Sequence, residues 1–325
     1  MINDHTIFND VSDALELRNP SIPEKDYYVV QLLKILNGIQ PVSHSFVFSG
    51  GTSLTKYNIK LNRMSEDVDI KIIPSKATKE LSKTQAGKVR LALRDQVIAQ
   101  LNQSSCFNVS MDNPKDYHSR DQYRYTEIQV GYPQKFSQAP CLRPYIKLEL
   151  METALIGNTE DISICSLHNQ VANFDPEIAA FPTTCLITTQ AEKLISMLRR
   201  TSSLHRSPDQ RADDEALVRH VYDTYHLQDA AKHDSKELAH LVATIIKLDV
   251  ERYGNQHQEF VDDPIAELQF GLTLLETNPI HRDRYTRFVT PMVYQHALTW
   301  EDALAVFKAL FLAVVDVIET ERLLD

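Results

Sequence analysis

The sequence predicts an α+β fold, with a mixed sheet and helices over residues 1–184 followed by an all-helical C-terminal lobe over residues 185–325. Two observations predict it. In the first half of the chain, short apolar runs bounded by Gly, Pro and polar residues alternate with helical patterns. Beyond residue 188, every convincing segment has the helical period of apolar residues. We therefore expect two domains.

The first elements follow from apolar spacing and from the residues that break it. Residues 24–40 form an amphipathic helix that Pro41 ends. The run His-Ser-Phe-Val-Phe at 44–48 predicts a short buried strand. A helix begins at Ser53, and an apolar strand covers 68–73.

A long helix and three strands are predicted next. Ser75 can cap a helix that runs to about residue 103. The segment 158–184 is irregular and contains two prolines, so the domain boundary is placed at its end. The predicted strands lie at 107–111, 123–132 and 145–151, and the C-terminal helices at 188–200, 213–232, 235–252, 262–277 and 300–323.

Composition indicates a globular protein of ordinary polarity. Hydrophobic residues make up 43% and charged residues 24% of the 325 residues. The formal net charge of −10 argues against broad, non-specific binding to nucleic acid. No signal peptide opens the chain, and the longest apolar run, 303–318, is interrupted by Lys308 and Asp316. We expect a soluble, cytoplasmic protein with no membrane partner.

The cysteines carry no metal or disulfide pattern. All four are scattered, with no Cys-x-x-Cys pair, so neither a zinc site nor a disulfide framework is predicted. Reduced thiols are the expectation. The four are Cys106, Cys141, Cys165 and Cys185.

One stretch joins a small, flexible turn to two closely spaced carboxylates. It reads Ser49-Gly50-Gly51-Thr52-Ser53-Leu54, followed by Arg63-Met64-Ser65-Glu66-Asp67-Val68-Asp69-Ile70. Backbone N–H groups at a strand–turn–helix junction attract anions. The spacing of Asp67 and Asp69 puts both side chains on one face of a strand, where they can share Mg²⁺. In this order, the features predict a site for a metal-bound nucleoside triphosphate.

The same stretch resembles the signature of the AbiEii/AbiGii toxin family, which belongs to the polymerase-β-like nucleotidyltransferases. The resemblance continues at Glu149, on an apolar strand where the superfamily carries its third carboxylate, although here it is Glu rather than Asp. It also includes Glu192-Lys193-Leu194 and Arg219-His220-Val221-Tyr222-Asp223. It covers roughly residues 44 to 226, and the C-terminal hundred residues carry no motif that we can place.

The resemblance implies a role for each matching residue. Asp67 and Asp69 would hold Mg²⁺ with the help of Glu149, and Lys193 would pair with the β and γ phosphates of the NTP. Asp223 would act near the nucleophile or near Lys193. The residues expected to cradle the phosphates are Gly50, Gly51, Thr52 and Ser53, and those expected to orient the aspartates are Arg63 and Ser65.

The resemblance also implies partners. A toxin of this family would modify RNA, particularly the 3′ end of tRNA, and block translation. A separately encoded antitoxin or regulator would be its cognate partner.

From the residues alone, several alternatives stay open. Lys193 lies among apolar residues and can extend its ammonium from a helix face to solvent, and Asp223 can anchor a helix pair. The acidic net charge favours a protein or small-molecule hydroxyl as the acceptor. A non-catalytic RNA- or partner-binding module is a further alternative.

Two basic clusters favour RNA. The second contains a polar stretch, 201–208, that is predicted to be a mobile loop. The first cluster is Lys76, Lys79, Lys83, Arg90 and Arg94, along the predicted long helix; the second is Lys193, Arg199, Arg200, Arg206 and Arg211.

Overall fold

The chain divides into a unit built on a sheet and a unit built from helices. The structure, a computed structural model, describes residues 6–17, 19–57, 59, 61–110, 117–139, 142–230, 235–293 and 298–324. The first unit contains Met1–Asn58, Met64–Leu155 and Thr159–Thr184. The second contains Ile59–Arg63, Ile156–Asn158 and Cys185–Asp325.

The strands of the first unit form a single mixed sheet. They are β1 (His44–Ser49), β2 (Asp67–Pro74), β3 (Tyr117–Arg120), β4 (Tyr125–Val130), β5 (Ile146–Glu152), β6 (Thr159–Ile164) and β7 (Ile178–Thr184). Among the described residues the sheet has seven strands in the order β3-β4-β5-β2-β1-β7-β6. Strand β2 is parallel to β5 and β1 is parallel to β7, while the other neighbours are antiparallel. The predicted α+β class is confirmed.

One face of the central strands is apolar because hydrophobic side chains occupy alternate positions. These side chains pack in one core with apolar residues of three helices. The strand residues include Val68, Ile70, Ile128, Leu148 and Leu150, and the helical residues include Leu32, Leu36, Leu93 and Val97. The helices of this unit are α1 (Ile7–Ala14), α2 (Ser21–Gly38), α3 (Gly50–Lys56), α4 (Lys76–Lys79), α5 (Lys83–Gln103) and α6 (Leu167–Ala172). The opposite face of β2 and β5 is left for polar side chains.

A buried ion pair joins three of these helices. The Nζ atom of Lys56, on α3, lies 2.5 Å from Oδ1 of Asp26, on α2. The second oxygen of Asp26 accepts a hydrogen bond of 2.7 Å from the amide of Leu167, which begins α6. Because both charges are buried, each needs the other to offset its lost hydration.

The predicted long helix and one predicted strand are wrong. The chain breaks after α4, and Ser82 begins α5 with a reciprocal capping box to Gln85. Residues 107–110 form no strand, since Asn108 makes only an isolated bridge to Gly131. The predicted end of that strand, Met111, lies outside the described residues.

The segment 158–184 is also more regular than predicted. It contains β6, α6 and β7, which belong to the first unit. Pro182 is tolerated within β7, where it lies opposite Asp161 of β6. Pro176, just before β7, and Pro182, within it, made this strand hard to recognise in the sequence.

The second unit is built from helices, as predicted. Its longer helices pack around α7, which contacts α8, α9 and α11. Residues 201–206 continue α7 and form no loop, so that part of the prediction is wrong. The helices are α7 (Leu186–Arg206), α8 (Arg219–Ala230), α9 (Ser235–Tyr253), α10 (Gln258–Asp262), α11 (Pro264–Thr277), α12 (Ile280–Phe288) and α13 (Trp300–Glu321). Residues 231 and 232, at the predicted end of α8, lie outside the described part of the chain.

Candidate active site

The register of β2 and β5 brings three predicted carboxylates onto one face of the sheet. In this parallel pair Asp67 lies opposite Lys147, and Asp69 lies opposite Glu149. Val68, between the two aspartates, is fully buried on the other face. Asp67, Asp69 and Glu149 therefore share the polar face, as the spacing of the aspartates predicts.

The Gly-Gly turn lies directly beside Asp69. The antiparallel pairing of β1 with β2 puts Ser49, the last residue of β1, opposite Asp69. The next residue, Gly50, begins α3 with φ of +78°, where a side chain is strained. A Cβ atom at Gly50 would lie 1.8 Å from Oδ2 of Asp69. Only glycine fits this contact, so the turn and the carboxylate form one site.

Two predicted phosphate-binding side chains hold the turn in shape. The hydroxyl of Ser53 donates to the carbonyl oxygen of Gly50 at 2.9 Å, and the hydroxyl of Thr52 donates to that of Ser65 at 3.1 Å. All three hydroxyl-bearing residues are buried. Ser65 therefore connects the turn to the segment that enters β2.

Two cations that the sequence analysis missed bind the carboxylates. The Nζ atom of Lys147 lies 2.5 Å from Oε1 of Glu149 and 3.5 Å from Oδ2 of Asp67. Nη1 of Arg143 donates to Oδ1 of Asp67 at 2.5 Å. Burial alone would lower the pKa of Lys147, but the charges of Asp67 and Glu149 raise it well above its usual value. Lys147 is therefore a fixed positive charge.

The buried ion pair of Lys25 and Glu66 holds the backbone of Arg143 in place. Glu66 accepts hydrogen bonds from Lys25 Nζ at 2.5 Å and from the Arg143 amide at 2.8 Å. Lys25 also donates to the carbonyl oxygen of Arg143 at 2.8 Å. Burial lowers the pKa of Lys25, although the neighbouring Glu66 carboxylate opposes the shift. These hydrogen bonds connect the loop before β5 to Glu66, which directly precedes Asp67.

A tyrosine and a further carboxylate border this face. Glu127 of β4 lies opposite Glu149, and the hydroxyl of Tyr125 donates to Oε2 of Glu127 at 3.1 Å. Burial, together with the charges of Glu149 and Glu127, raises the pKa of Tyr125 well above its usual value. Tyr125 is therefore a hydrogen-bond donor near the site at neutral pH.

The donor atoms partly fit a metal ion. Carboxylate oxygens are the ligands that Mg²⁺ prefers, and Asp67 and Asp69 supply them from one strand. Glu149, the predicted third ligand, is engaged by Lys147. Within the described ranges, no three His, Cys, Asp or Glu side chains are grouped so that they could hold one ion.

The second unit contains the other predicted residues, joined by ion pairs. Arg63 donates through Nε and Nη2 to the two oxygens of Asp223, each at 2.6 Å. The Nζ atom of Lys193 lies 2.9 Å from Oδ2 of Asp223. The Arg63 side chain therefore binds Asp223, and Lys193 is likewise paired with Asp223 and largely buried.

Asp223 is charged despite complete burial. Burial alone would raise its pKa, but the charges of Arg63 and Lys193 hold the pKa of Asp223 well below its usual range. Burial, followed by the charge of Lys193, lowers the pKa of the adjacent His220, which is therefore neutral. The hydroxyl of Tyr222 donates to the carbonyl oxygen of Leu61 at 2.8 Å and is buried, so this ring packs in the core.

Several arginines of the two predicted basic clusters are paired with carboxylates of their own unit, whereas Lys76, Lys79 and Lys83 of the first cluster are exposed. In the first cluster, Nε of the buried Arg90 lies 2.8 Å from Oε2 of Glu152. Arg94 forms an ion pair with Asp95, and its guanidinium lies over two tyrosine rings. In the second, each of three arginines has a carboxylate partner. These pairs are Arg199–Asp249, Arg200–Asp214 and Arg206–Glu267. The paired arginines therefore offer less open positive charge than the sequence pattern indicates.

Two remaining expectations concern the membrane and the cysteines. In the part of the chain that the structure describes, no helix is both long and apolar enough to cross a membrane. Among the described residues, Cys106, Cys165 and Cys185 form no disulfide, and Cys141 lies outside them.

Comparisons with known proteins identify the family and a similar fold. The family model described as "Nucleotidyl transferase AbiEii toxin, Type IV TA system" matches residues 31–306. The fold is similar to that of MenT4, a nucleotidyltransferase toxin from Mycobacterium tuberculosis H37Rv. The TM-score is 0.58 at 17% identity, over 95% of this chain and 89% of that chain.

A second solved structure matches with a low TM-score. The STING-associated CdnE c-di-GMP synthase from Capnocytophaga granulosa matches with a TM-score of 0.25 and 11% identity, over 93% of this chain and 82% of that chain. A likeness this small carries no argument. No curated protein matches the sequence.

The fold and the family model define an enzyme of the nucleotidyltransferase class. The chain belongs to the AbiEii family of nucleotidyltransferase toxins of type IV toxin–antitoxin systems. Membership implies a nucleoside triphosphate as substrate and a cognate antitoxin as partner. The family resemblance read from the sequence is confirmed.

We predict that Gly50→Ala disables the enzyme without unfolding it. The new Cβ would displace the Asp69 carboxylate, and misplacement of about 1 Å at a reacting centre costs on the order of 100-fold in rate. Pyrophosphate release and the thermal midpoint would be measured together. Gly38→Ala is the control, because a Cβ at Gly38 meets nothing within 4 Å. A Gly50→Ala enzyme with the wild-type rate would contradict the steric account.

We predict that Asp223 stabilises the protein in a pH-dependent way. Asp223→Asn leaves Arg63 and Lys193 without their buried partner, which should cost about 3 kcal/mol of unfolding free energy at neutral pH. Because the folded-state pKa lies below the ordinary 3.8, this stabilisation is present above about pH 4 and is lost as the pH falls further. The difference between wild type and variant should therefore narrow in acid.

Urea unfolding at neutral and acidic pH measures this difference. The control is Asp316→Asn, which neutralises an exposed carboxylate on α13 and should change stability little at either pH. A gap between wild type and Asp223→Asn that stays constant down to about pH 2 would contradict the assignment.

Proposed function

We propose that this chain transfers a nucleoside monophosphate from an NTP to the 3′ end of tRNA, in a Mg²⁺-dependent reaction that blocks translation. One observation carries the proposal. Asp67 and Asp69 share the polar face of the sheet, and Gly50 lies against Asp69 where no side chain fits. The turn and the carboxylates thus form one compact site in a chain that belongs to a nucleotidyltransferase family.

The turn and the carboxylates have separate tasks in this proposal. The backbone of Gly50 and Gly51 binds the triphosphate, because glycine lets phosphate oxygens approach closely. Thr52, Ser53 and Ser65 hold that backbone in shape through their hydrogen bonds.

Asp67 and Asp69 would hold the metal, with Glu149 as the third carboxylate of the face. When bound, Mg²⁺ would neutralise charge on the triphosphate and on the leaving pyrophosphate. The acceptor hydroxyl forms a bond to the α-phosphorus, the bond to pyrophosphate breaks, and the hydroxyl proton goes to solvent or to a carboxylate of the face.

Lys193, Asp223 and Arg63 are proposed on the family resemblance. Their support is that the structure joins all three in one buried cluster. Asp223 holds the ammonium of Lys193 in a fixed position at 2.9 Å, as expected of a lysine that contacts a phosphate as a point charge. The assignment of Lys193 to the β and γ phosphates stays a prediction.

The acceptor is the least constrained part of the proposal. RNA is supported by the resemblance, and the toxin would act in the cytoplasm, where tRNA is made and used. A protein or small-molecule hydroxyl is the second candidate. It is favoured by the net charge of −10 and by the pairing of several arginines of the predicted basic clusters with carboxylates. A non-catalytic module does not fit a chain of this enzyme family.

Labelling of bulk tRNA tests the proposal. Purified protein, Mg²⁺ and each α-phosphate-labelled NTP in turn should give labelled tRNA. Asp69→Ala should lower the labelling at least about 100-fold, because the remaining aspartate alone holds the metal weakly. The matched control is Asp161→Ala, an exposed aspartate of β6 in the same sheet, which should label as the wild type does.

Two other outcomes would change the proposal. Label on protein or on small molecules, lost in Asp69→Ala, would replace tRNA with the second candidate acceptor. Label on tRNA that persists in Asp69→Ala would remove the carboxylates from the reaction centre.

A further inference from the structure

The ammonium of Lys147 occupies the gap between two of the three carboxylates on the polar face. Its Nζ atom lies 2.5 Å from Glu149 and 3.5 Å from Asp67. This placement follows from the sheet. Lys147 lies opposite Asp67 in the parallel register and two residues before Glu149, so all three side chains share one face.

The side chains around this ammonium fix it in place. The side chain of Lys147 is 18% exposed, that of Asp67 19% and that of Glu149 23%. Arg143 contacts the other oxygen of Asp67 at 2.5 Å, so Asp67 is flanked by cations on both oxygens. A divalent ion shared by Asp67 and Glu149 would have to occupy the space that the Lys147 ammonium already fills between Oδ2 of Asp67 and Oε1 of Glu149. An ion held by Asp67 and Asp69 does not need that space, because each carboxylate oxygen has two lone pairs.

We propose that the ammonium of Lys147 occupies the position of a second divalent ion in this site and supplies its positive charge. This inference rests on the proposed function, since it assumes that Asp67 and Asp69 bind a metal. The site then holds one divalent ion, at Asp67 and Asp69. Glu149 serves as the partner of Lys147 and is not a metal ligand.

The proposal deepens the account of the site in one respect. Many nucleotidyl-transfer sites place two divalent ions about 4 Å apart to stabilise the attacking and the leaving oxygens. Here a permanent charge would supply part of that stabilisation. The enzyme would then need only one divalent ion from solution. The dependence of its activity on the metal concentration would follow the saturation of a single site.

Counting bound Mn²⁺ tests the proposal without any activity measurement. Mn²⁺ alone is titrated into the full chain, and free ion is followed by electron paramagnetic resonance. The wild type should bind one ion. Lys147→Met should bind two, because Glu149 and the free side of Asp67 become available. Lys88→Met should bind one, since it removes the same charge from an exposed position on α5, a helix that packs on the opposite face of the sheet.

Glu149→Gln gives an independent test if Lys147→Met fails to fold, as judged by its thermal midpoint. If Glu149 is only the partner of the lysine, Glu149→Gln should bind one Mn²⁺ with an affinity within about threefold of wild type. A loss of affinity of tenfold or more would make Glu149 a metal ligand and overturn the proposal.

The remaining outcomes separate this inference from the proposed function. Two ions bound to the wild type, or one ion bound to folded Lys147→Met, would overturn the role of Lys147 and leave the metal site at Asp67 and Asp69 intact. No ion bound to the wild type would overturn the metal dependence of the proposed function, and the inference with it.

Discussion

The position of Asp69 is the constraint on which the rest of this site depends. The residue lies in a strand that has antiparallel β1 on one side and parallel β5 on the other. The first pairing brings Gly50 against its carboxylate, and the second brings Glu149 beside it. A slip of one residue in either register would turn these side chains to the opposite face. The apolar face of β2, packed in the core, therefore fixes the chemistry on its polar face.

Charge pairing explains how so many ionised groups are accommodated. Buried or half-buried charges are tolerated only with partners, because desolvation costs several kcal/mol per ion. The first unit contains three such ion pairs, which are Lys25–Glu66, Arg143–Asp67 and Lys147–Glu149. In the second, Arg63 and Lys193 serve Asp223. The same rule explains why many of the cations that resembled an RNA-binding surface are already paired with carboxylates.

The sequence predicts the parts of this arrangement that depend on local spacing. A period of two residues places Asp67 and Asp69 on one face, and the glycine pair marks the turn before them. Lys147 obeys the same rule with respect to Glu149, but its contact with Asp67 appears only once β2 and β5 are known to pair. Arg143 lies in a loop with no pattern at all. Its position depends on buried Glu66 and Lys25, which are far apart in the chain.

The errors of the sequence analysis have the same origin. The prediction of the first basic cluster assumed one straight helix, whereas the chain breaks between α4 and α5. Partners such as Asp249 for Arg199 and Glu267 for Arg206 come from helices about 50 residues or more away, so no local pattern reveals them. Strand β7 was missed because proline in a strand suggests a loop. The edge strand β6 was missed because only Ile162 and Ile164 in it are apolar.

The central claim is that Asp67 and Asp69, beside the Gly50 turn, form the centre at which an NTP reacts. A crystal structure with Mn²⁺ and a non-hydrolysable NTP tests it most directly, because anomalous scattering locates the ion. The account predicts Mn²⁺ coordinated by both aspartates and the triphosphate on the backbone of Gly50 and Gly51. Nucleotide bound elsewhere, or an ion that contacts neither aspartate, would contradict it.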